Sequence, residues 1–314
     1  MISIKTAIIL PAYNEELTIE KTIRAFHEEV PTADIYVINN ASVDATEELA
    51  TRTLKELPCG GRVINENRKG KGNAVRRAFL EIDADIYVMS DADMTYPANR
   101  IHDLIKPIQD GTADVVVGDR HSAGHYASEN KRALHNFGNH LVKNMVNKLF
   151  NANLADIMSG YRAFNKKFVK TYPILVEEFE IETDMTLHTL DKRFRILEMP
   201  VEYQDRPEGS ESKLNTIKDG TKVIFTIFRI LRYYRPLMFF GIISVLLATL
   251  GIVFGYHVVE EWVRDGTVNH LPLAVLATGL ELLAALSLAV GLILDSIIHL
   301  DKNAFELELL KRKK

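Results

Sequence analysis

Cysteine is almost missing from this chain: Cys59 is the only one in 314 residues. That excludes an intramolecular disulfide and a Cys-rich zinc site, and leaves a lone structural thiol. Positive charge is not in excess either, since 38 Lys and Arg against 42 Asp and Glu leave a net charge of −4 and a pI near 6.2. Without a basic field, no nucleic-acid partner is expected. A Walker A loop and a GxGxxG fingerprint are both absent, which disfavours a kinase or a dinucleotide-dependent dehydrogenase. Repeats at solenoid periods are absent too. The N-terminal apolar run, Ala7 to Leu10, is too short for a signal peptide and lacks a basic n-region. A hydrophobic share of 47% with 25% charge removes disorder and low complexity as classes.

What is present is unevenly distributed, because a mean hydropathy of −0.03 averages a water-soluble first two thirds with a strongly apolar end. Pro236 to Val259 contains no Asp, Glu, Lys or Arg, and Leu271 to Leu294 contains only Glu281. Each run can cross the hydrocarbon layer as a helix, which takes about 20 residues, and the polar loop Glu260 to His270 makes the pair a hairpin. Arg229, Arg232 and Arg235 precede the first run, Lys311, Arg312, Lys313 and Lys314 follow the second, and the loop carries Arg264 alone. The positive-inside rule then places both ends in the cytoplasm, so the expectation is an integral protein of the cytoplasmic membrane with its soluble part inside. Glu281 is expected to make a helix–helix hydrogen bond or a homo-oligomer contact, and Gly241, Gly251 and Gly255 to allow close packing of spans.

The first 205 residues alternate short β-branched apolar runs with longer amphipathic stretches, the pattern of an α/β domain with a mostly parallel sheet. Strands are expected at Thr6–Leu10, Ile35–Asn39, Arg62–Asn65, Ile86–Ser90 and Val115–Gly118. Helices are expected near Glu16–Glu29, Ala45–Leu57, Asn73–Ile82, Asn99–Gln109 and Asn130–Phe150. The organisation is therefore residues 1–205 as the soluble domain, 206–235 as a juxtamembrane segment, and 236–314 as the hairpin, with spans at about 236–259 and 271–294. In 206–235, seven basic and three acidic residues accompany Ile217, Val223, Ile224, Ile227, Phe228 and Leu231. That spacing predicts an amphipathic helix on the lipid of the inner leaflet.

Ligands of such sheets gather at the carboxyl ends of the strands, and chemistry-bearing residues collect there. Asp91 and Asp93 end an apolar strand one residue apart, a pair of hard donors suited to a divalent cation. Three more strand-end loops are Pro11 to Glu15, Asn39 to Asp44, and Asn67 to Asn73. The last combines Lys69 and Lys71 with Gly70 and Gly72 at a helix start, where free N–H groups favour an anion.

These residues resemble a family 2 glycosyltransferase of the polyprenyl-phosphate type, similar to dolichol-phosphate mannose synthases and GtrB-like bacterial enzymes, over essentially the whole length. Pro11-Ala-Tyr13-Asn14-Glu15, Asp91-Ala92-Asp93, Asp156-Ile-Met-Ser159-Gly160-Tyr161-Arg162, Phe179-Glu180-Ile-Glu182-Thr183-Asp184 and the loop from Arg206 through Ser210, Ser212 and Lys213 to Asn215 carry the resemblance, in the family's order. It implies a GT-A fold and a donor site of Pro11, Tyr13, Asn14, Glu15, Asn39, Asp44, Asn67, Lys71, Gly72, Asp91, Ala92, Glu182 and Asp184. It also implies Mg2+ or Mn2+ on Asp91 and Asp93, an acceptor phosphate met by Arg162, Arg206 and Lys213, the catalytic groups Asp156, Arg206 and Lys213, and an active-site loop at the start of 206–235.

The implied reaction moves one hexosyl unit, with inversion, from a nucleotide-diphosphate sugar to an undecaprenyl or dolichyl phosphate, for cell-envelope glycans or glycoproteins. A phosphate acceptor is already ionised near neutral pH, so Asp156 is the general base only if one is used. Two departures stand out: Asn39 replaces a common Asp, which suggests a uridine nucleotide such as UDP-glucose or UDP-N-acetylglucosamine, and Asp184 replaces a Glu. Direct elongation of a glycolipid or polysaccharide is an alternative, although no Gln-x-x-Arg-Trp motif is present and the single tryptophan, Trp262, lies between the spans. A non-catalytic nucleotide-sugar-binding membrane protein is a further one, against which Asp91, Asp93, Arg206 and Lys213 argue.

Overall fold

The computed structural model describes residues 4–122, 133–177, 180–204 and 216–312, and the chain divides into two compact units, Met1–Asp219 and Gly220–Lys314. In the first, the strands are β1 (Thr6–Ala12), β2 (Asp34–Asn39), β3 (Gly61–Asn65), β4 (Ile86–Met89), β5 (Val115–Asp119), β6 (Arg162–Asn165) and β7 (Ile196–Pro200). They form one mixed sheet in the order β3-β2-β1-β4-β6-β5-β7. The helices are α1 (Ile19–Glu29), α2 (Thr46–Glu56), α3 (Lys71–Glu81), α4 (Ile101–Gln109), α5 (Ala133–Phe150), α6 (Lys166–Val169) and α7 (Ile181–Asp191).

Strands β1, β2 and β4 read as continuous apolar runs because both faces are covered; Ala7 to Leu10 and Ile35, Val37 and Ile38 are wholly buried. Helix α1 buries Ile19, Thr22, Ile23 and Phe26, one stripe at i, i+3, i+4 and i+7. Strand β1 extends past the expected Leu10, and its Pro11 lies beyond the last register pair with β4, Ile9 with Met89, where a missing N–H costs little. Strands β6 and β7 escape the alternation pattern. The four-residue β6 runs antiparallel to both β4 and β5, and β7 is only half-buried.

Because β1 lies between β2 and β4, successive strands are laid down first to one side of β1 and then to the other. Such a switch point opens a crevice at the carboxyl ends. Here the crevice is framed by the loops after Ala12 and Met89.

The helix α8 (Thr216–Tyr234) leads into the second unit, whose body is α9 (Pro236–Asp265) and α10 (Leu271–Arg312). Both are long and apolar enough to cross a membrane, and only 11% of the most apolar stretch of each is buried, unlike the core helices of a soluble protein. Gly266, at φ +69°, ends α9 by turning its N–H back to the Trp262 carbonyl, a left-handed cap suited to glycine. Across the hairpin, the Ser244 hydroxyl donates to the Ala284 carbonyl at 2.8 Å and that of Ser287 to the Phe240 carbonyl at 3.0 Å. Glu281 lies over Gly251, and Gly255 faces Ala277, whereas a Cβ on Gly241 would meet nothing within 4 Å. Two of the three expected packing glycines therefore lie on the seam.

Candidate active site

Among the described residues, three of the five non-glycine residues with positive φ sit in the loops after β1, β2 and β4: Asn14 (55°), Ala41 (57°) and Met94 (63°). Left-handed backbone at Ala and Met costs energy that the surroundings must offset, and such strain concentrates at functional sites. The first two loops are lashed together. The Asn14 amide N–H donates to the Ser42 hydroxyl at 3.0 Å, and the Asn14 side-chain oxygen accepts from the Val43 N–H at 2.9 Å. Asp44 accepts from the Glu16 and Thr46 amides and from the Thr46 hydroxyl. Asn14 and Asp44, both expected in the donor site, thus shape its wall. Pro11, Tyr13 and Glu15 are half-buried on the same rim, and Asn67 is exposed.

At the centre, Lys71, its side chain 9% exposed, lies between two carboxylates. Its ammonium pairs with Asp91 and with Glu182 at 2.5 Å. Burial works against the ammonium, but the two anions overcome it and hold the Lys71 pKa above the ordinary lysine value. Gly160 completes the arrangement, since a Cβ there would lie 2.8 Å from Asp91 Oδ2 and 2.9 Å from Lys71 Nζ. The glycines before Lys71 and after it are required by packing. A Cβ on Gly70 would come within 2.1 Å of the Glu177 carbonyl oxygen, and one on Gly72 within 2.0 Å of that of Val176. They let the 176–177 backbone pass against the start of α3.

Asp93 is 2% exposed and accepts at Oδ1 from the Thr95 N–H and hydroxyl. Ala92, also buried, accepts at its carbonyl from Thr22. Asp184 accepts from the Tyr172 hydroxyl at 2.6 Å, so its shorter side chain reaches a partner on its own side of the site.

The 155–162 segment carries a surprise about its charges. Asp156 pairs with Arg120, through Nε at 2.7 Å and Nη2 at 3.0 Å, and the loop is held from below by Glu198, which accepts from the amides of Ala155 and Asp156. Arg162, expected at an acceptor phosphate, is instead wholly buried. Its guanidinium donates to the carbonyls of Ser159 and Ile157 and to the Thr186 hydroxyl, because the turn before β6 leaves those carbonyls without ladder partners. It supports the loop from inside. Beside it, Tyr96 takes the Gly160 N–H at 2.9 Å and packs on Tyr161 and Tyr203. Arg120 lies over the Tyr203 ring, and burial beside Asp93 and Asp91 pushes the Tyr203 phenol up to about 12.

This arrangement of loops has counterparts. The model of Glycosyl transferase family 2 matches residues 7–172, more than half of the chain. The chain belongs to this family. Among curated relatives, Glycosyltransferase AglJ of Haloferax volcanii is 29% identical over 297 residues, covering 94% of each chain. An undecaprenyl-phosphate mannosyltransferase of Micrococcus luteus is 28% identical, covering 66% of this chain and 86% of its own. The structure of glucosyl-3-phosphoglycerate synthase from Mycobacterium tuberculosis with Mn2+, UDP and phosphoglyceric acid superposes at a TM-score of 0.56 and 20% identity, over 73% of this chain and 78% of that one. That likeness bears on the fold, which is GT-A.

For a family 2 transferase, the GT-A crevice thus brings together Lys71, Asp91, Glu182 and Gly160, with Asp93 at its side. Arg206, Lys213 and Phe179 lie outside the described residues. The reading of the sequence passed over Arg120, Tyr96 and Glu198. Arg120 had a findable signal, since it directly follows β5 and strand ends collect function. Glu198 had none, being one acidic residue in a half-buried edge strand.

Proposed function

We propose that this family 2 member transfers one hexosyl unit from a uridine-diphosphate sugar, glucose or N-acetylglucosamine, to a polyprenyl phosphate, inverting the anomeric carbon. The observation that carries this is the pairing of a GT-A crevice centred on Asp91 with two helices apolar enough to cross a membrane. A polyprenyl tail stays in the bilayer, so its phosphate is met only by an enzyme held there. A relative with the same overall length is a glycosyltransferase, and another acts on undecaprenyl phosphate. The basic flanks of the hairpin support a cytoplasmic face for the reaction.

Asp91 and Asp93 are hard oxygen donors at a strand end: Asp91, with 30% of its side chain exposed, fits direct contact with Mg2+ or Mn2+, and Asp93, 2% exposed and bonded to Thr95, contact through water. A bound cation supplies charge to the departing diphosphate. Arg120, oriented by Asp156, is assigned to a phosphate oxygen, and the acceptor phosphate itself supplies the attacking oxygen. Lys213 and Arg206 complete the proposal as phosphate ligands.

The test uses full-length protein in detergent with undecaprenyl or dolichyl phosphate, a panel of UDP- and GDP-sugars, and Mg2+ or Mn2+ against EDTA, reading glycolipid by mass spectrometry. A cation-dependent monoglycosylated phospholipid from a UDP-sugar is expected, and Asp91→Asn should abolish it. Full turnover by Asp91→Asn would remove the cation assignment. Failure of every donor with lipid phosphate would remove the acceptor.

A further inference from the structure

The half of the sheet on the β2–β3 side of the crevice carries a polar group that the resemblance does not assign. Ala12, Asn39 and Asn65 are register partners across β1, β2 and β3, a row of strand ends spanning about 10 Å. A nucleoside whose diphosphate lies at the β1–β4 switch point extends along this row. Asn39, expected to meet the base, is buried and has both of its amide hydrogens committed. Its amide nitrogen donates to Glu47 Oε2 at 3.0 Å and to Asn65 Oδ1 at 2.9 Å, and its oxygen accepts from the Ser42 N–H at 3.2 Å. Asn40 is equally committed, to the Glu66 and Arg68 carbonyls and the Gly70 N–H.

The group these amides orient is Glu47. One of its oxygens takes Asn39 and the other takes Asn65, at 2.7 Å. Glu47 sits in the first turn of α2, a position that suits acidic side chains. Asn39 is 5% exposed, but Glu47 and Asn65 face solvent. A carboxylate has about four acceptor positions, and two are used here. Asn65 has a second amide hydrogen.

We infer that Glu47, held by Asn39 and Asn65, is the residue that reads the nucleobase of the donor, and that it selects bases with a ring N–H next to a carbonyl. Uracil and guanine present that edge: the ring N–H donates to Glu47 while the neighbouring carbonyl accepts from Asn65. Cytosine and adenine present a bare ring nitrogen at the same place, which a carboxylate repels. Glu47 also restores the negative charge that Asn39 lacks. This inference rests on the donor reading above.

The experiment is calorimetric titration of the full-length protein in detergent and Mn2+ with UDP, GDP, CDP and ADP. Wild type should bind UDP or GDP at least about tenfold more tightly than CDP and ADP, since a hydrogen bond to a charged group contributes about 1.5–3 kcal/mol. Glu47→Gln keeps the shape and removes the charge, and should cut that ratio about tenfold by weakening UDP and GDP while sparing CDP. Asn65→Ser, which frees one side of Glu47, should move the ratio the same way by less. Equal weakening of all four ligands, or no change in either variant, overturns the inference. A wild-type protein that binds none of the four overturns the donor reading itself.

Discussion

Arg120 grips Asp156 with both arms of its guanidinium fork, Nε to Oδ2 at 2.7 Å and Nη2 to Oδ1 at 3.0 Å. Burial by itself would raise the Asp156 carboxyl, but the charge and hydrogen bonds of Arg120 overcome that and leave its pKa below the ordinary aspartate value. A carboxylate so stabilised is a weak proton acceptor at neutral pH. Its evident task is to aim Arg120.

The kinetics should follow that assignment. Asp156→Asn should lower turnover by about 10²-fold, the scale of a misplaced binding group, and Arg120→Lys should do similar harm because lysine has no fork. The acidic limb of the pH–rate profile should survive in Asp156→Asn, as it belongs to the acceptor phosphate. Loss of that limb in the variant, measured as kcat/KM from pH 5 to 9, would make Asp156 the base after all.

Gly160 and Gly72 separate site from scaffold. The atoms nearest a methyl on Gly160 are the ends of the Asp91 and Lys71 side chains, whereas a methyl on Gly72 meets the Val176 backbone oxygen at 2.0 Å. Side-chain ends can yield, and a packed backbone cannot without cost. Gly160→Ala should therefore keep a near-native melting temperature while losing most cation-dependent turnover. Gly72→Ala should lose about 1–3 kcal/mol of stability. Paired melting curves and turnover assays decide this, and the reverse pattern would show that the two glycines have been assigned the wrong way round.

How far the sequence speaks depends on whether a signal is local. Strands β1, β2, β4 and β5 were legible as buried, largely apolar runs, the mostly exposed β3 from Val63 and Ile64 ahead of Asn65, and the hairpin from the length of its apolar runs alone. Strand β6 was not, because four residues containing the fully buried Arg162 carry no alternation. Partners at long range were also hidden. Nothing near Asp156 in the chain indicates Arg120, 36 positions away, and Lys71 looks like an exposed helix-start cation until α7 brings Glu182 against it. Asn39 shows the same limit: its residue type suggested a uridine nucleotide, and nothing in the sequence indicated that Glu47 on the next helix would bond to it.

The loop that leads into Lys71 should be acid-sensitive. Glu66 is buried and accepts from the Arg68 backbone N–H, Nε and Nη2, each at 2.9 Å; these hydrogen bonds, against the opposing effect of burial, hold its carboxyl at about 2, well below the ordinary 4.5. A group whose folded pKa is depressed stabilises the fold fully above its unfolded value and loses that contribution as pH falls toward the folded one. The window is therefore about pH 4.5 down to about 2. Glu66→Gln lacks the carboxylate, so the stability gap between wild type and variant should be constant above pH 5 and narrow steadily below it. Thermal unfolding of both proteins in one detergent from pH 7 to pH 3 measures the gap directly. A gap that does not change with pH would mean that the Glu66–Arg68 pair forms equally well in the unfolded chain, since the two residues are only two positions apart, and that the loop draws no stability from it.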